Sequence, residues 1–186
     1  MRAGVQSLCH TGNLCESALV ATESELMLRP ITDSDVSTVL GLNAADVAAL
    51  SPLDHERLTL LRKRAAHALI AEVAGEVAGF VLTFAAGSGY DSDNFDWFSQ
   101  GYGSGFLYLD RIVIDSSHRR RGIAGRVYDA LEDEARAYGR LVCEVYSQPP
   151  NAASLAFHSA RGYAEVGHLS HGPGKVTVML CKELPS

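Results

Sequence analysis

The sequence predicts an α/β fold, a mixed and mostly antiparallel sheet with helices on both faces, and three observations carry that expectation. Short apolar runs rich in Val, Ile, Leu and Phe alternate with stretches of helical period. Two of the runs, His67 to Val73 and Val77 to Ala86, are joined by only Ala74-Gly75-Glu76, as in an antiparallel hairpin. The 186 residues suffice for one hydrophobic core and are too few for two.

Residues 1 to 24 show no period and mix Gly, Ser, Thr and Asn with isolated apolars, so a flexible extension is expected there, with the folded domain running from 25 to 186. Glu25-Leu26-Met27-Leu28-Arg29-Pro30 reads as a strand stopped by proline. Thr32-Asp33-Ser34-Asp35 then supplies an N-cap and first-turn acids for a helix to about Asn43. After Ser51-Pro52, Leu53, Arg57, Leu60, Leu61 and Arg64 recur at helical spacing. The hairpin follows, then a loop from Gly87 to Ser104, rich in glycine, aromatics and acids, and a strand from Gly105 to Ile114. From Gly122 a helix carries Ile123, Val127, Leu131, Ala135 and Tyr138 on one stripe, read as core, and Gly139 ends it. Leu141 to Ser147 is a strand, Asn151 caps a helix to about Ala160, and Tyr163 to Val166 and Val176 to Cys181 close the sheet.

Composition narrows the function. Apolar residues at 47% and charged residues at 20% belong to a globular chain, not a disordered one. Sixteen Lys and Arg against 22 Asp and Glu leave a net charge of −6, which speaks against bulk attraction to nucleic acid or anionic membrane. Cys9, Cys15, Cys143 and Cys181 form no CxxC pair and read as free thiols. No segment has the apolar length of a membrane span or a secretory signal, so a cytoplasmic protein is expected, with a homodimer left open. His168 and His171 make an H-x-x-H on a predicted turn without a third ligand, so no metal is expected.

The chemistry concentrates in Asp110-Arg111-Ile112-Val113-Ile114-Asp115-Ser116-Ser117-His118-Arg119-Arg120-Arg121-Gly122-Ile123-Ala124-Gly125. A strand passes there into a helix through a turn of Arg and Gly. The first amides of a helix lack intrahelical partners and carry the positive end of its dipole, so this junction suits a phosphate. Gly122, Ala124 and Gly125 leave the backbone bare, while Arg119, Arg120 and Arg121 add full charge. The phosphate-loop Lys and the G-x-G-x-x-G of dinucleotide sites are both missing. What is present is R-x-x-G-x-A, Arg119 to Ala124.

With this motif the chain resembles the GNAT acetyltransferase superfamily, whose acetyl-CoA signature [Q/R]-x-x-G-x-[G/A] opens a helix after the fourth strand. Asn151-Ala152-Ala153-Ser154-Leu155-Ala156-Phe157-His158-Ser159-Ala160-Arg161-Gly162-Tyr163 is similar to the family's second element, and the element order from Glu25 to Leu184 also agrees. The resemblance implies a GNAT-like fold, acetyl-CoA as acyl donor, and transfer of its acetyl group to a primary amine of a small molecule or peptide in a ternary complex. It implies that Arg119 to Gly125 hold the diphosphate. Asn151 would hold the pantetheine arm with Ser154 nearby, and a backbone amide among Ile112, Val113 and Ile114 would meet the oxyanion.

Where the family carries a tyrosine thought to protonate the leaving thiolate, this chain has His158. Seven residues, nearly two turns, put His158 and Asn151 on one side of a helix. A histidine near 6.5 is protonated in about a quarter of molecules at pH 7, enough to serve a thiol of about 8.5. For the base, the family context points to Glu144 in Leu141-Val142-Cys143-Glu144-Val145, with Asp110 on the preceding strand as the other candidate. Tyr90, Trp97 and Phe98, in a segment with Asp91, Asp93 and Asp96 and no Lys or Arg, are the candidate acceptor pocket and would favour a cationic, partly apolar amine. Two alternatives stay open. The arginines could form a solvated or nucleic-acid-binding patch, or the fold could bind CoA without catalysis, with His158 and Glu144 idle.

Overall fold

The computed structural model describes residues 25–46 and 50–185. The expected extension, residues 1 to 24, lies outside the described residues, as do Cys9 and Cys15. Among the described residues, seven strands form one sheet: β1 (Leu26–Pro30), β2 (His67–Val73), β3 (Glu76–Ala85), β4 (Leu107–Ile114), β5 (Arg140–Gln148), β6 (Ala164–Ser170) and β7 (Val176–Glu183). Their spatial order is β1-β2-β3-β4-β5-β7-β6, and every neighbouring pair is antiparallel except β4 and β5. The β2–β3 hairpin turns on Ala74 and Gly75, both at positive φ (55° and 80°), the turn whose twist matches its strands.

Among the described residues, five α-helices cover the sheet: α1 (Val36–Ala45), α2 (His55–Arg64), α3 (Asp93–Tyr102), α4 (Ile123–Ala135) and α5 (Ala152–Ala160). Strand alternation divides the core between two faces. Ile70, Phe80, Leu82, Phe84 and Tyr108 meet α1, α2 and α3 on one face. Ala71, Val81, Leu107 and Leu109 meet Ile123, Val127 and Leu131 of α4 on the other, with Leu155 and Phe157 of α5 packed alongside. Phe80, Phe84, Phe98 and Phe106 are fully buried, each contributing about 2–3 kcal/mol of apolar burial. No described helix is long and apolar enough to cross a membrane.

Two expectations are corrected. The segment from Gly87 to Ser104 is not a loop, because α3 occupies its middle. Ser92 caps α3 by accepting from the Phe95 amide, Asp93 and Asp96 sit in its first turn, and Phe95 and Phe98 form a buried face. His168 lies in β6 rather than on a turn, since β6 continues to Ser170 before the chain reverses.

The sheet has one seam. β4 and β5 pair only at Leu107↔Leu141 and Tyr108↔Val142, and beyond those two pairs the strands part. On its other side β4 is bulged. Leu82 faces Arg111 and Thr83 faces Leu109, so Asp110 is the extra residue.

Candidate active site

Asp110 on β4 and Glu144 on β5 line a cleft of about 320 Å³ where the two strands diverge. The bulge sets Asp110 in a net of donors. Tyr90 Oη donates to its Oδ1 at 2.6 Å and Arg111 Nε to its Oδ2 at 2.9 Å. Arg111 is itself buried and anchored, donating from Nη1 to Asn43 Oδ1 at 2.7 Å and to the Ser51 carbonyl at 2.9 Å. Burial pushes the Asp110 carboxyl above its ordinary range against the pull of Arg111 and Tyr90.

Glu144 accepts from Tyr108 Oη at 2.7 Å and from Asn94 of α3. Asn94 Oδ1 in turn accepts from Thr177 Oγ1 at 3.3 Å. Burial first, then the charge of Asp110, pushes the Glu144 carboxyl up to about 8. Two acids whose burial favours their protonated forms therefore share one cleft, a pattern that marks acid–base sites.

A second cleft, about 470 Å³, runs along the N-terminus of α4 between Ile112, Ile114 and α5. Gly122 begins α4 at φ 73°, with no side-chain cap and no acid in the first turn. A methyl group built on Gly122 would meet nothing within 4 Å, and one on Gly125 would meet only Arg161 Nη1, at 3.8 Å. The first amides are thus uncapped and approachable, which fits a diphosphate. Arg119 donates to the Ile114 carbonyl at 3.0 Å and to Asp46 at 3.2 Å, so it ties the turn to β4 and the end of α1. Arg120, at φ 60°, lines the cleft, and Arg121 is exposed outside it. Val113 turns its side chain into the core, leaving Ile112 and Ile114 as the lining residues of that strand end.

The clefts meet at Ile112, Tyr128, Ser154 and His158, which line both. His158 reaches this junction with both ring nitrogens engaged. Nδ1 lies 2.8 Å from the Ser154 carbonyl and Nε2 lies 2.7 Å from Tyr128 Oη. Burial lowers its pKa, so the imidazolium fraction at neutral pH falls below that of a free histidine. Asn151 caps α5, its Oδ1 accepting from the Ser154 amide at 3.2 Å, and its side chain lines the acidic cleft.

Of the three residues expected to meet the acceptor, Tyr90 lines the cleft and grips Asp110 while stacking on Phe84 at 4.0 Å. Trp97 instead covers Gly167 of β6, where any Cβ would come within 2.5 Å of its ring, and Phe98 is wholly in the core. Helix periodicity, unrecognised in that segment, turns Trp97 and Phe98 away. Sequence reasoning missed Tyr108, Asn94 and Tyr128. Tyr128 lies beside the stripe of Ile123, Val127 and Leu131 that reads as core, and only the packing of α4 against α5 reveals its hydroxyl.

Residues 41–163 match the model of the Acetyltransferase (GNAT) family. No curated relative matches the chain. Among solved structures, the fold is similar to Ard1 from Thermoplasma volcanium, at TM-score 0.67 and 16% identity over 87% of this chain and 99% of that one. A ribosomal-protein-alanine N-acetyltransferase from Brucella melitensis gives 0.62 and 23%, over 85% and 99%. The yncA protein of Salmonella typhimurium, solved with acetyl-CoA, gives 0.63 and 19%, over 88% and 96%.

Proposed function

The chain belongs to the acetyltransferase (GNAT) family, and from that premise we propose that it moves an acetyl group from acetyl-CoA directly to a primary amine of a small molecule or peptide, the amine being cationic. One observation carries this reading. The cleft lined by Asp110 and Glu144 and the cleft at the uncapped start of α4 share Ile112, Tyr128, Ser154 and His158 as lining residues. The diphosphate of CoA would be held at Gly122 to Gly125, with Arg120 adding charge, and the pantetheine arm would run past Ile112 and Ile114 toward Asn151 and Ser154. The thioester would then reach the junction, and the amine would approach from the acidic side.

The cleft's own charges select the acceptor. Asp46, Asp110 and Glu144 line it; Asp46 is paired with Arg119 at 3.2 Å and Asp110 with Arg111 at 2.9 Å, while Glu144 is held by the Tyr108 hydroxyl and Asn94. An amine that enters as ammonium meets Glu144, whose carboxylate attracts it once ionised, and it must lose a proton before nitrogen can attack. Glu144 is the base in this reading. A carboxyl at about 8 lies far nearer the acidity of an alkyl ammonium, about 10.4, than an ordinary carboxyl does, so the uphill transfer is much reduced. Asp110 acts by charge, raising Glu144. Direct proton donation by His158 to the thiolate is less favoured than expected, since neither ring nitrogen faces the cleft unengaged.

The test is a panel of amines, polyamines, amino acids and peptide N-termini with acetyl-CoA, following thiol release and acceptor mass. Cationic amines should gain 42 Da, roughly the mass of an acetyl group replacing hydrogen, with stoichiometric thiol. Heat on adding CoA without turnover of any amine would return the chain to a non-catalytic CoA-binding module. No heat at all would remove the cofactor site.

A further inference from the structure

We propose that Tyr128 is a catalytic residue of this site, its hydroxyl carrying a proton from the reacting nitrogen to the leaving sulfur, with His158 as the positioning partner that takes up and returns a proton through it. This rests on the transferase reading above and names groups that reading leaves unassigned.

The geometry fixes the direction of each hydrogen bond. The Ser154 carbonyl can only accept, so the 2.8 Å contact places hydrogen on His158 Nδ1. Nε2 then holds a lone pair, and the 2.7 Å contact is Tyr128 Oη donating to it. The imidazole cannot swing away. The rings of Tyr128, Phe157 and Tyr163 stand nearly perpendicular to it, with centroids 5.4, 5.4 and 5.1 Å distant. The charged groups facing it are Arg161 and Glu132, paired to each other at 3.0 Å. Arg161 also holds Asp129 at 2.6 Å, and Lys182 of β7 holds Glu132 at 2.6 Å. The pair therefore sits beside a charge cluster that compensates itself, at the point where donor and acceptor clefts join.

The steps balance. After Glu144 takes one proton from the ammonium, the amine nitrogen bonds to the thioester carbon and the carbonyl pair moves onto oxygen. The nitrogen is now cationic, and its proton passes to Tyr128 Oη as the hydroxyl's own proton moves to His158 Nε2. The oxygen pair returns, the carbon–sulfur bond breaks and the sulfur leaves with its electrons. Tyr128 protonates the thiolate and regains a proton from Nε2. One proton has moved from nitrogen to sulfur, and both side chains end as they began. A buried tyrosine is a weak acid, and the lone pair of Nε2 removes the need for free tyrosinate.

The test combines two variants with a measurement that needs no substrate. In the protein without CoA, nitrogen NMR of His158 should show the Nδ1–H tautomer, titrating below the ordinary histidine value, and Tyr128→Phe should move that titration upward because the neutral ring loses its donor. With acetyl-CoA and a good amine, Tyr128→Phe should lower kcat by about 10²-fold or more while CoA binding stays within a few fold. His158→Gln, which still accepts the Tyr128 hydrogen bond and cannot take up its proton, should lose as much, and the double variant should be no slower than either. A Tyr128→Phe protein that binds CoA and turns over at the wild-type rate overturns the inference, as does wild-type kcat in His158→Gln or an Nε2–H tautomer. A wild-type protein that acetylates no amine fails the transferase reading instead, and takes this inference with it.

Discussion

Glu144 is held under opposing demands. Burial and Asp110 favour its protonated form, whereas a base must be ionised. Its raised pKa means that this carboxyl stabilises the fold fully below the ordinary 4.5 and loses that contribution as pH rises through about 8. Rate should follow the reverse course, kcat/KM climbing with pH until it levels above about 8. Glu144→Gln should cut kcat by about 10²–10⁴-fold and yet melt at a higher temperature than wild type at pH 9, the gain vanishing toward pH 4.5. Tyr108→Phe should shift the activity limb upward, because the Tyr108 hydrogen bond is one of the few contacts lowering the Glu144 pKa. Melting curves and pH–rate profiles on these two variants check both statements. Both acids were legible as rivals for one role through the family resemblance, which points to an acid on each of these strands. Their meeting in one cleft was not, because it depends on where β4 and β5 separate. The Tyr128–His158 contact was illegible for a similar reason, joining two helices through groups that each pass for core or helix surface.

At the scale of elements, the start of α4 was the most legible part, since Arg-x-x-Gly-x-Ala states both the turn and its bareness. Its chemistry can be separated from its stability. Ala124→Glu adds an acid to the first turn, which should stabilise α4 by about 0.3–1 kcal/mol through the helix dipole. The same charge should weaken CoA binding by roughly tenfold or more, because it occupies the place of the diphosphate. Calorimetry and thermal melting should therefore move in opposite directions, and parallel changes would argue against a phosphate site there. α3 escaped notice because glycine, acids and aromatics together imitate loop composition, and Ser92 with Phe95, Phe98 and Tyr102 was the signal available. Near the other edge, Asp35 ties the entry of α1 to β1, accepting from Arg29 Nη1 and Nη2 at 2.8 and 2.9 Å and from the Thr32 amide at 2.8 Å. Arg29 holds its carboxyl well below the ordinary range, so this contribution is present above about pH 3.8 and is lost as pH falls. Asp35→Asn should cost about 1–2 kcal/mol at pH 7 in denaturant titration, and less in acid.

Across the whole molecule, the mixed sheet with helices on its faces was legible in the order of apolar runs and helical stripes, whereas the assignment of each helix to a face depends on packing. Strand order came from the parallel pairing of β4 with β5, a long-range choice that no local pattern encodes. Saturating CoA at about a hundred times its Kd should raise Tm by roughly 5–10 °C if it binds only the folded state. Gly79→Ala should act in the other direction, since its Cβ would collide with the Val113 carbonyl and pry β3 from β4. The two-pair join at Leu107↔Leu141 and Tyr108↔Val142 has a mechanical meaning as well. It makes the sheet a book of two leaves, β1 to β4 and β5 to β7, stitched at one end of the spine. On the proposed reading a donor lying in the open end would touch both leaves and serve as a rivet, so amide exchange at those four residues should slow when CoA binds, while the outer pages keep their own pace.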